Sequence, residues 1–444
     1  QPLDQPDCLI AEIADEAGEC RLEVPAGLPR ALACLVGYFG YETIGLIERL
    51  PRPPANPLDL PDMLFVRPTL ILIFDRLEDE LHFVAPVWAG AGDLSAEKAV
   101  DQAVERIEAA SARLAAPYLP KRDAHARHSR ESGNPASSSY SARPQEKLDS
   151  RFRGNDGEGS VEPVSTLPPG RYREMVLAAK HYIEAGDIFQ VVLAQRFAMP
   201  FALPPIDLYR SLRRINPSPF LYYLDLPGFA VIGSSPEILV RARDGEVTIR
   251  PIAGTRPRGK TASEDAANRE GLLTDPKERA EHLMLLDLGR NDVGRVAEAG
   301  SLTVTDSYAV ELYSHVMHIV SNVVGKLDPR FDALDALFAG FPAGTVSGAP
   351  KVRACEIIAE LEPETRGAYA GGVGYFSPDG SMDSCIVLRT AVVKDGVMHV
   401  QAGAGIVADS DPAYEQRECE AKAGALVAAA RDAVKRAEEA AFRQ

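Results

Sequence analysis

The sequence has no excess of positive charge and no long apolar run. Its 444 residues carry a formal net charge of −16. Phosphate backbones and anionic lipid surfaces attract clustered Lys and Arg, so this balance argues against nucleic acid and a membrane as partners. No apolar run approaches the roughly 18 residues that a transmembrane helix needs. A small anionic substrate stays compatible, because a few local cationic residues can hold one.

The six cysteines are scattered, and none forms the C-x-x-C pair of a structural zinc site. In a chain of this length they predict reduced thiols in a cytoplasmic protein. The sequence begins at Gln1 without the charged and apolar regions of a signal peptide. We therefore expect a processed or truncated start.

A nucleotide-binding loop, an internal repeat and a regular strand–helix alternation are also missing. The segment FPAGTVSGAPKVRA (341–354) superficially resembles a phosphate loop, but Pro350 stands where a G-K-[ST] pattern needs glycine. Predicted strand pairs outnumber predicted helices. These patterns favour an α+β fold, with two packed sheets and helices outside, over a doubly wound α/β fold.

Hydrophobic periodicity predicts helices over 95–116, 171–185, 276–290, 350–360 and from 412 to about 440. Strands are predicted at 69–74, 81–86, 312–324, 370–376, 384–393 and 397–402. Residues 121–160 are rich in Ser, Arg, Gly and Asn and have almost no aliphatic side chains. Such a stretch cannot bury enough apolar surface to offset its ordering entropy, so we predict a disordered insertion, with an ordinary loop as the alternative.

Two pairs of glutamates lie near predicted helix starts. Glu278 and Glu281 follow one Asp-Pro dipeptide, and Glu415 and Glu418 follow another. Residues three apart share a helix face, and the dipole favours carboxylates near an N-terminus. The set predicts a site for a hard cation such as Mg²⁺, which prefers oxygen ligands. The alternative is a capping box between Asp275 and Glu278 with solvated neighbours.

The C-terminal strands carry a candidate anion site. Arg389 in CIVLRTA lies within a predicted apolar strand, where a charge is costly unless a bound carboxylate or a structural salt bridge satisfies it. QAGAGIV (401–407) places Gly403 and Gly405 after a predicted strand, as backbone donors to an anion or as a simple bend. His315 and His318 lie on opposite faces of another strand, and a buried neutral His is more often a core residue than a catalytic one.

Ten strings occur in one order: GDIFQVVLAQRF, NPSPFLYY, IGSSPEILV, RPIAGTRPRG, AEHLMLLDLGRNDVGRV, FPAGTVSGAPKVRA, AYAGGVGYFSPDG, CIVLRTA, QAGAGIV and YEQRECEAKA. In this order they resemble the chorismate-utilising enzymes, and the resemblance runs from about residue 31 to 430, interrupted only at 121–160. The resemblance implies a large sandwich of two sheets covered by outer helices. We expect 1–120 to be a remnant of the N-terminal region packed on the core sheets. We expect 121–165 to be the insertion and 166–444 the chorismate-binding catalytic domain.

Two positions narrow the resemblance to the component I branch of anthranilate synthases. Relatives that use water carry a lysine base just before V-V-L-A, where this sequence has Gln190, and aminodeoxychorismate synthases commonly carry lysine in P-I-K-G-T, where it has Ala253. This branch implies a lyase of tryptophan biosynthesis that turns chorismate and ammonia into anthranilate and pyruvate with Mg²⁺. No G-x-C-x-G nucleophile string occurs, so a separate glutamine amidotransferase subunit would supply the ammonia. Aminodeoxychorismate synthase component I and a non-catalytic relative are the alternatives.

The resemblance also assigns site residues. It implies Mg²⁺ ligation by Glu281 and Glu418, helped by Glu278 and Glu415, and a general acid at Glu237 that protonates the departing 4-hydroxyl. The same catalytic group would include His318, Thr345 and Gln190. The implied substrate-binding residues are Tyr369, Arg389, Gly403, Gly405 and Lys422.

The resemblance further implies a tryptophan inhibition site, built from an L-L-E-S string and the N-P-S-P region. L-L-E-S is absent, and GYFGYE begins at Gly37, nearer the start than in relatives. We expect a truncated N-terminal region and an incomplete inhibitor site. Its remaining residues are Pro217, Ser218, Leu221, Val373, Tyr375 and Cys385.

Overall fold

The computed structural model describes residues 24, 32, 35–51, 55–87, 95–116, 162–313 and 316–442. The predicted insertion at 121–160 and His315 lie outside the described residues. The three described cysteines, Cys355, Cys385 and Cys419, are free and buried. No helix in the described part of the chain is both long and apolar enough to span a membrane.

The described strands are given in chain order. They are β1 (Leu35–Phe39), β2 (Met63–Val66), β3 (Ile71–Asp75), β4 (Glu80–Val84), β5 (Val164–Ser165), β6 (Gln190–Pro200), β7 (Phe220–Leu226), β8 (Phe229–Ser235), β9 (Ile238–Arg243), β10 (Glu246–Ile249), β11 (Ile252–Pro257), β12 (Thr303–Leu312), β13 (Val316–Lys326), β14 (Gly348–Ala349), β15 (Gly372–Phe376), β16 (Met382–Ile386), β17 (Thr390–Lys394) and β18 (Val397–Ile406).

The described α-helices are α1 (Ala96–Ala115), α2 (Arg171–Glu184), α3 (Pro205–Ile215), α4 (Ala262–Thr274), α5 (Pro276–Gly294), α6 (Ala333–Gly340), α7 (Lys351–Leu361) and α8 (Pro412–Phe442). Two short 3₁₀ helices cover Tyr41–Leu46 and Gly344–Val346. Five of these α-helices confirm the helices predicted from periodicity.

Two antiparallel sheets form the centre of the described chain. The larger has the order β11-β13-β10-β9-β16-β15-β1-β2, with β12 beside β13. The smaller has the order β14-β6-β18-β17-β8-β7, with β5 beside β6. The N-terminal strands β1 and β2 thus extend the larger sheet, and Val164–Ser165 already belongs to the smaller one.

The two sheets share a hydrophobic cluster in which Val373 and Cys385 of the larger meet Phe229 and Val231 of the smaller. Helices α2, α3 and α8 pack on the smaller sheet, whereas α5 and α6 pack on the larger. The predicted α+β sandwich with outer helices is confirmed. This layering buries both faces of the central strands, which is why β6 is apolar over most of its length.

The two predicted glutamate helices form for local reasons. Pro276 occupies the first turn of α5, and the Asp275 carboxylate accepts the backbone N–H groups of Lys277 and Glu278. The expected capping box is only half present, because the Glu278 carboxylate pairs with Arg256 instead. In α8, buried residues recur at helical spacing, including Cys419, Ala423, Leu426 and Ala430.

Two strand predictions were wrong in their boundaries. The strand expected at 312–324 begins at Val316, and the separate strand β12 precedes it and pairs with it. The strand expected at 384–393 is two strands, β16 in the larger sheet and β17 in the smaller. A continuous apolar run does not show where a chain changes sheets, because both halves are equally buried.

Candidate active site

The candidate site lies where the chain passes between the two sheets. The chain crosses at 235–237 from β8 to β9, and it crosses back at 387–389 from β16 to β17. These crossovers adjoin each other, since Ile386 N–H donates to the Glu237 carbonyl (3.1 Å) and Ser235 Oγ donates to the Ile386 carbonyl (2.6 Å). The arrangement brings Glu237 and Arg389 into one region.

Glu237 is buried on the first crossover, with 6% of its surface exposed. Burial raises the pKa of its carboxyl to about 8, against the opposing effects of hydrogen bonds from Thr345 and the backbone of Ile252 and of the Arg389 charge. Thr345 Oγ1 donates to Glu237 Oε1 at 3.2 Å. A carboxyl with this pKa holds its proton at neutral pH and can deliver it to a leaving group.

Arg389 does not lie within a strand, as predicted, but on the second crossover with a φ of +47°. Within the described residues, its guanidinium has no hydrogen bond and no ion pair within 4 Å. Burial lowers the pKa of Arg389, whereas the nearby Glu237 and Tyr313 raise it. Of the two predicted partners, the structural salt bridge is therefore not observed, and the donors are available to a carboxylate ligand.

His318 lies on β13 and is 8% exposed. Its Nδ1 is 2.9 Å from the Gly254 carbonyl and 3.1 Å from Thr255 Oγ1. A carbonyl only accepts, so Nδ1 carries the proton and Nε2 keeps its lone pair. Burial lowers the pKa of His318, which keeps the ring neutral. The ring can therefore accept a proton through Nε2.

Gly403 and Gly405 lie inside β18, not after a strand as predicted. A Cβ on Gly405 would lie 2.4 Å from Gln190 Nε2, and a Cβ on Gly403 would lie 2.8 Å from the Tyr369 hydroxyl. Glycine at both positions lets these two side chains lie directly on the strand. Gln190 Oε1 is buried without a hydrogen-bond partner among the described residues. A ligand N–H would satisfy that acceptor.

Lys422 connects this strand to the glutamates of α8. Its Nζ donates to the Gly403 carbonyl (2.9 Å) and pairs with Glu418 (2.8 Å). Burial raises the pKa of Glu281, and the neighbouring Glu278 and Glu418 raise it further against the effect of Lys422. Burial likewise raises the pKa of Glu415, beside Glu418. The four predicted glutamates are therefore electrostatic neighbours.

The donor set suits a hard cation, although the side chains do not form a coordination shell. No group of three or more His, Cys, Asp or Glu in the described part of the chain is arranged to hold a metal ion. Two glutamates have cationic partners instead: Arg256 binds Glu278 at 2.8 Å, and Lys422 binds Glu418. The partly buried Glu281 carboxylate receives no hydrogen bond from any described residue. A bound cation would relieve the repulsion at Glu281.

The residues of the expected inhibitor site are only partly brought together. Val373 and Cys385 share the cluster between the sheets, and the Tyr375 hydroxyl meets Asp383 and Arg243. In β7, Phe220, Tyr222 and Leu224 pack on that cluster, so alternation turns Leu221 to the opposite face. Pro217 is exposed and Ser218 half-buried, in the segment before β7.

Two residues at the site were missed at the sequence level. Tyr313 stacks edge to face on His318 at 5.4 Å between ring centroids and lies near Glu237 and Arg389. Arg256 holds Asp275 and Glu278 at the start of α5. Both stand in strings already singled out, ELYSHVMHIVS and RPIAGTRPRG, but nothing in the local pattern of either string shows which distant residue it meets.

Comparison with known proteins identifies the family of this chain. A profile of the family described as chorismate binding enzyme matches residues 7–428. Anthranilate synthase component 1 of Cereibacter sphaeroides is 51% identical over 436 residues, which cover 97% of this chain and 79% of that protein. The Pseudomonas putida protein of the same name is 47% identical, covering 88% and 73%. The crystal structure of anthranilate synthase component I from Streptococcus pneumoniae is 36% identical and superposes with a TM-score of 0.77, covering 94% of this chain and 85% of that one.

Proposed function

Because this chain belongs to the chorismate-binding enzymes, and within them to anthranilate synthase component 1, we propose that it is the subunit that converts chorismate and ammonia to anthranilate and pyruvate. The single observation that carries the chemistry is that a buried, protonated Glu237 and a half-buried Arg389 lie on adjoining crossovers, and that Arg389 has no ion-pair partner among the described residues. Such a pair can hold an anionic substrate and protonate its leaving group in one pocket.

In the first step ammonia attacks C2 of the ring, the double bonds shift, and the C4 hydroxyl leaves as water with the proton of Glu237. Thr345 holds the Glu237 carboxyl in place through Oε1. Arg389 and Tyr369 bind the enolpyruvyl carboxylate. The unpaired Gln190 Oε1 accepts an N–H of the incoming ammonia, which needs no base to attack because it is already a nucleophile. Once the C–N bond has formed, the nitrogen carries an extra proton, which passes to solvent.

In the second step the proton at C2 is removed and the bond between the ring carbon and the enolpyruvyl oxygen breaks, which makes the ring aromatic. The released enolpyruvate takes up a proton at its methylene carbon and becomes pyruvate. His318 Nε2 is the acceptor for the C2 proton, since Nδ1 is committed to Gly254. Glu281 and Glu418, with Glu278 and Glu415 beside them, would hold Mg²⁺, which supplies positive charge to the ring carboxylate of the substrate.

The proposed function also includes the source of the ammonia and the compartment in which the enzyme works. Ammonia comes from a separate glutamine amidotransferase subunit, and the assembly works in the cytoplasm. Leu221 faces the opposite side of its strand from the cluster of Val373 and Cys385, which supports an incomplete tryptophan site in this chain. The reaction is that of a Mg²⁺-dependent lyase at the entry to tryptophan biosynthesis.

Mass spectrometry of the products from chorismate and ¹⁵N-ammonium tests the proposed function. The expected products are ¹⁵N-anthranilate and unlabelled pyruvate. A ¹⁵N-aminodeoxychorismate that keeps its enolpyruvyl group would assign the chain to the rival activity instead. A protein that leaves chorismate unchanged, with Mg²⁺ and ammonium both saturating, would indicate the non-catalytic alternative.

The pH dependence of turnover should report the proton of Glu237. Its carboxyl is protonated below a pKa of about 8 and ionises above it. We therefore expect log kcat to be level up to about pH 7, to bend near pH 8 and to fall at higher pH with a slope approaching −1. His318 stays neutral throughout, because burial lowers its pKa. The measurement is initial rate against pH at a constant concentration of free NH₃. A rate that keeps rising above pH 9 would remove Glu237 from the role of acid.

Replacing Gln190 with lysine should admit water as a nucleophile. A lysine at this buried position lies beside the anionic substrate, where its amine can be tuned to deprotonate water. Without ammonia, the Gln190→Lys protein should form a hydroxylated product of the isochorismate or salicylate type, which chromatography detects. Gln190→Met is the matched control, since it fills the same space without an amine and should give no such product.

A further inference from the structure

A buried ion pair contacts the backbone segments that carry residues of the proposed site. The side chains of Arg366 and Glu362 are 1% and 4% exposed, and they are joined by two hydrogen bonds of 2.9 and 2.6 Å. Glu362 Oε1 also accepts the backbone N–H of Ala194 on β6 (2.8 Å). Removing two charges from water is costly, so a buried pair of this kind is weak evidence for stability. A role in geometry has to be sought in what else the pair contacts.

The remaining donors of Arg366 hold two backbone segments that carry site residues. One terminal nitrogen donates to the Val346 carbonyl and the other to the Val192 carbonyl, each at 2.7 Å. Val346 directly follows Thr345 in its 3₁₀ helix, and Val192 lies two residues after Gln190 on β6. The planar guanidinium fixes the angles between its donors, so the two segments are held in a set relation to each other.

A third segment is held by the same residue. The guanidinium carbon lies 5.6 Å from the ring centroid of Tyr369 and 4.6 Å from that of Tyr41. The backbone N–H groups of Arg366 and Gly367 donate to the Glu42 carboxylate at 2.7 and 2.9 Å. The segment that leads to Tyr369 is therefore held by two contacts. The Arg366 guanidinium lies against the Tyr369 ring, and Glu42 in the 3₁₀ helix Tyr41–Leu46 binds the backbone.

We propose that Arg366 is a positioning residue that sets Gln190, Thr345 and Tyr369 in their places relative to one another, and that Glu42 anchors the segment on which it lies. The kinetic part of this inference rests on the proposed function. Arg366 contacts neither substrate nor the reacting atoms in this role. It acts through the three side chains that line the site, each on a different element of the fold.

The test compares Arg366→Lys with Arg196→Lys. Arg196 is a matched control, because it is also buried, lies on β6 and pairs with Glu364 of the same connecting segment. We expect kcat/KM of Arg366→Lys to fall about a hundredfold, since displacements near 1 Å at a site cost about that much. The kcat/KM of Arg196→Lys should stay within about fivefold of the parent value. Its loss of stability in urea should be similar to that of Arg366→Lys.

A second readout separates positioning from general damage. The Thr345 hydrogen bond lowers the pKa of Glu237, so displacing Thr345 should move the fall in kcat of Arg366→Lys to higher pH. Arg196→Lys should leave it unchanged. An unshifted profile in a folded Arg366→Lys protein, or an equal catalytic loss in Arg196→Lys, would overturn the proposal.

If Arg366→Lys does not fold, the milder Glu42→Gln variant tests whether the segment near Tyr369 is held in place. It loses one of two acceptors for the backbone near Tyr369, so the KM for chorismate should rise about fivefold while kcat stays within twofold. A parental KM would contradict the anchoring role. The parent is assayed first, because a parent that forms no anthranilate refutes the proposed function alone. Chorismate affinity by calorimetry then replaces KM as the readout for positioning.

Discussion

Glu237→Gln should reduce anthranilate formation about a thousandfold, within the range that a positioned general acid contributes. The glutamine keeps the shape of the side chain and an acceptor for the Thr345 hydroxyl, but it has no proton for the departing 4-hydroxyl. The loss should appear in kcat, with the KM for chorismate nearly unchanged, because Arg389 and Tyr369 still hold the substrate. Steady-state anthranilate fluorescence measures both constants.

Asp383→Asn is the control for the loss of a buried carboxyl. Asp383 is 9% exposed and pairs with Arg241 and Arg243 on the larger sheet, away from the crossovers. Its replacement should cost stability and leave kcat within a few-fold. A near-parental kcat in Glu237→Gln would show that another group is the general acid.

The pH dependence of the unfolding free energy tests the raised pKa of Glu237 independently of turnover. Its folded pKa of about 8 lies above the ordinary value of 4.5, so its contribution to stability is present below pH 4.5 and is lost as pH rises through 8. The unfolding free energy of Glu237→Gln, measured relative to the parent, should therefore increase over that range.

Glu281→Gln should have opposite effects on activity and on stability. Turnover should fall about a thousandfold, which corresponds to roughly 4 kcal/mol of lost charge stabilisation by the metal. Without metal, the variant should be more stable than the parent, because the partly buried Glu281 is repelled by Glu278 and Glu418 and its neutral replacement removes that repulsion. Anthranilate fluorescence measures turnover, urea unfolding measures stability, and Mg²⁺ titration by calorimetry measures the affinity for the metal.

Glu420→Gln provides the comparison, since Glu420 lies on α8 near Glu418 but is exposed and bonds only Gln416 among the described residues. The Mg²⁺ affinity and the stability of the Glu420→Gln variant should equal those of the parent. Unchanged Mg²⁺ affinity in Glu281→Gln would contradict the metal assignment, whatever happened to turnover.

The sequence predicted the parts of the site that depend on local rules. The Asp-Pro starts of α5 and α8 follow from capping chemistry, and the three-residue spacing placed each glutamate pair on one face. That the two helices meet could not be derived from either segment. The matched spacing of the two pairs suggested a shared cation, and the family resemblance implied the same site. The approach of α5 to α8 itself depends on sheets assembled from strands far apart in sequence.

The errors concern places where the chain changes sheets. Arg389 was assigned to a strand because its neighbours are apolar, yet its φ of +47° marks the break between β16 and β17. A crossover buried on both sides has the composition of a strand, so hydrophobicity alone does not reveal it. The face of Leu221 depends on the register of β7 against β8, which no local pattern states.

The most direct test of the central claim is the molar ratio of anthranilate to pyruvate formed from a limiting amount of chorismate. The purified chain is supplied with Mg²⁺ and ammonium salt, and anthranilate fluorescence is followed beside a lactate dehydrogenase assay for pyruvate. We predict one anthranilate and one pyruvate per chorismate, with neither formed when ammonium is omitted. Consumption of chorismate without pyruvate, or pyruvate without anthranilate, would contradict the proposed reaction.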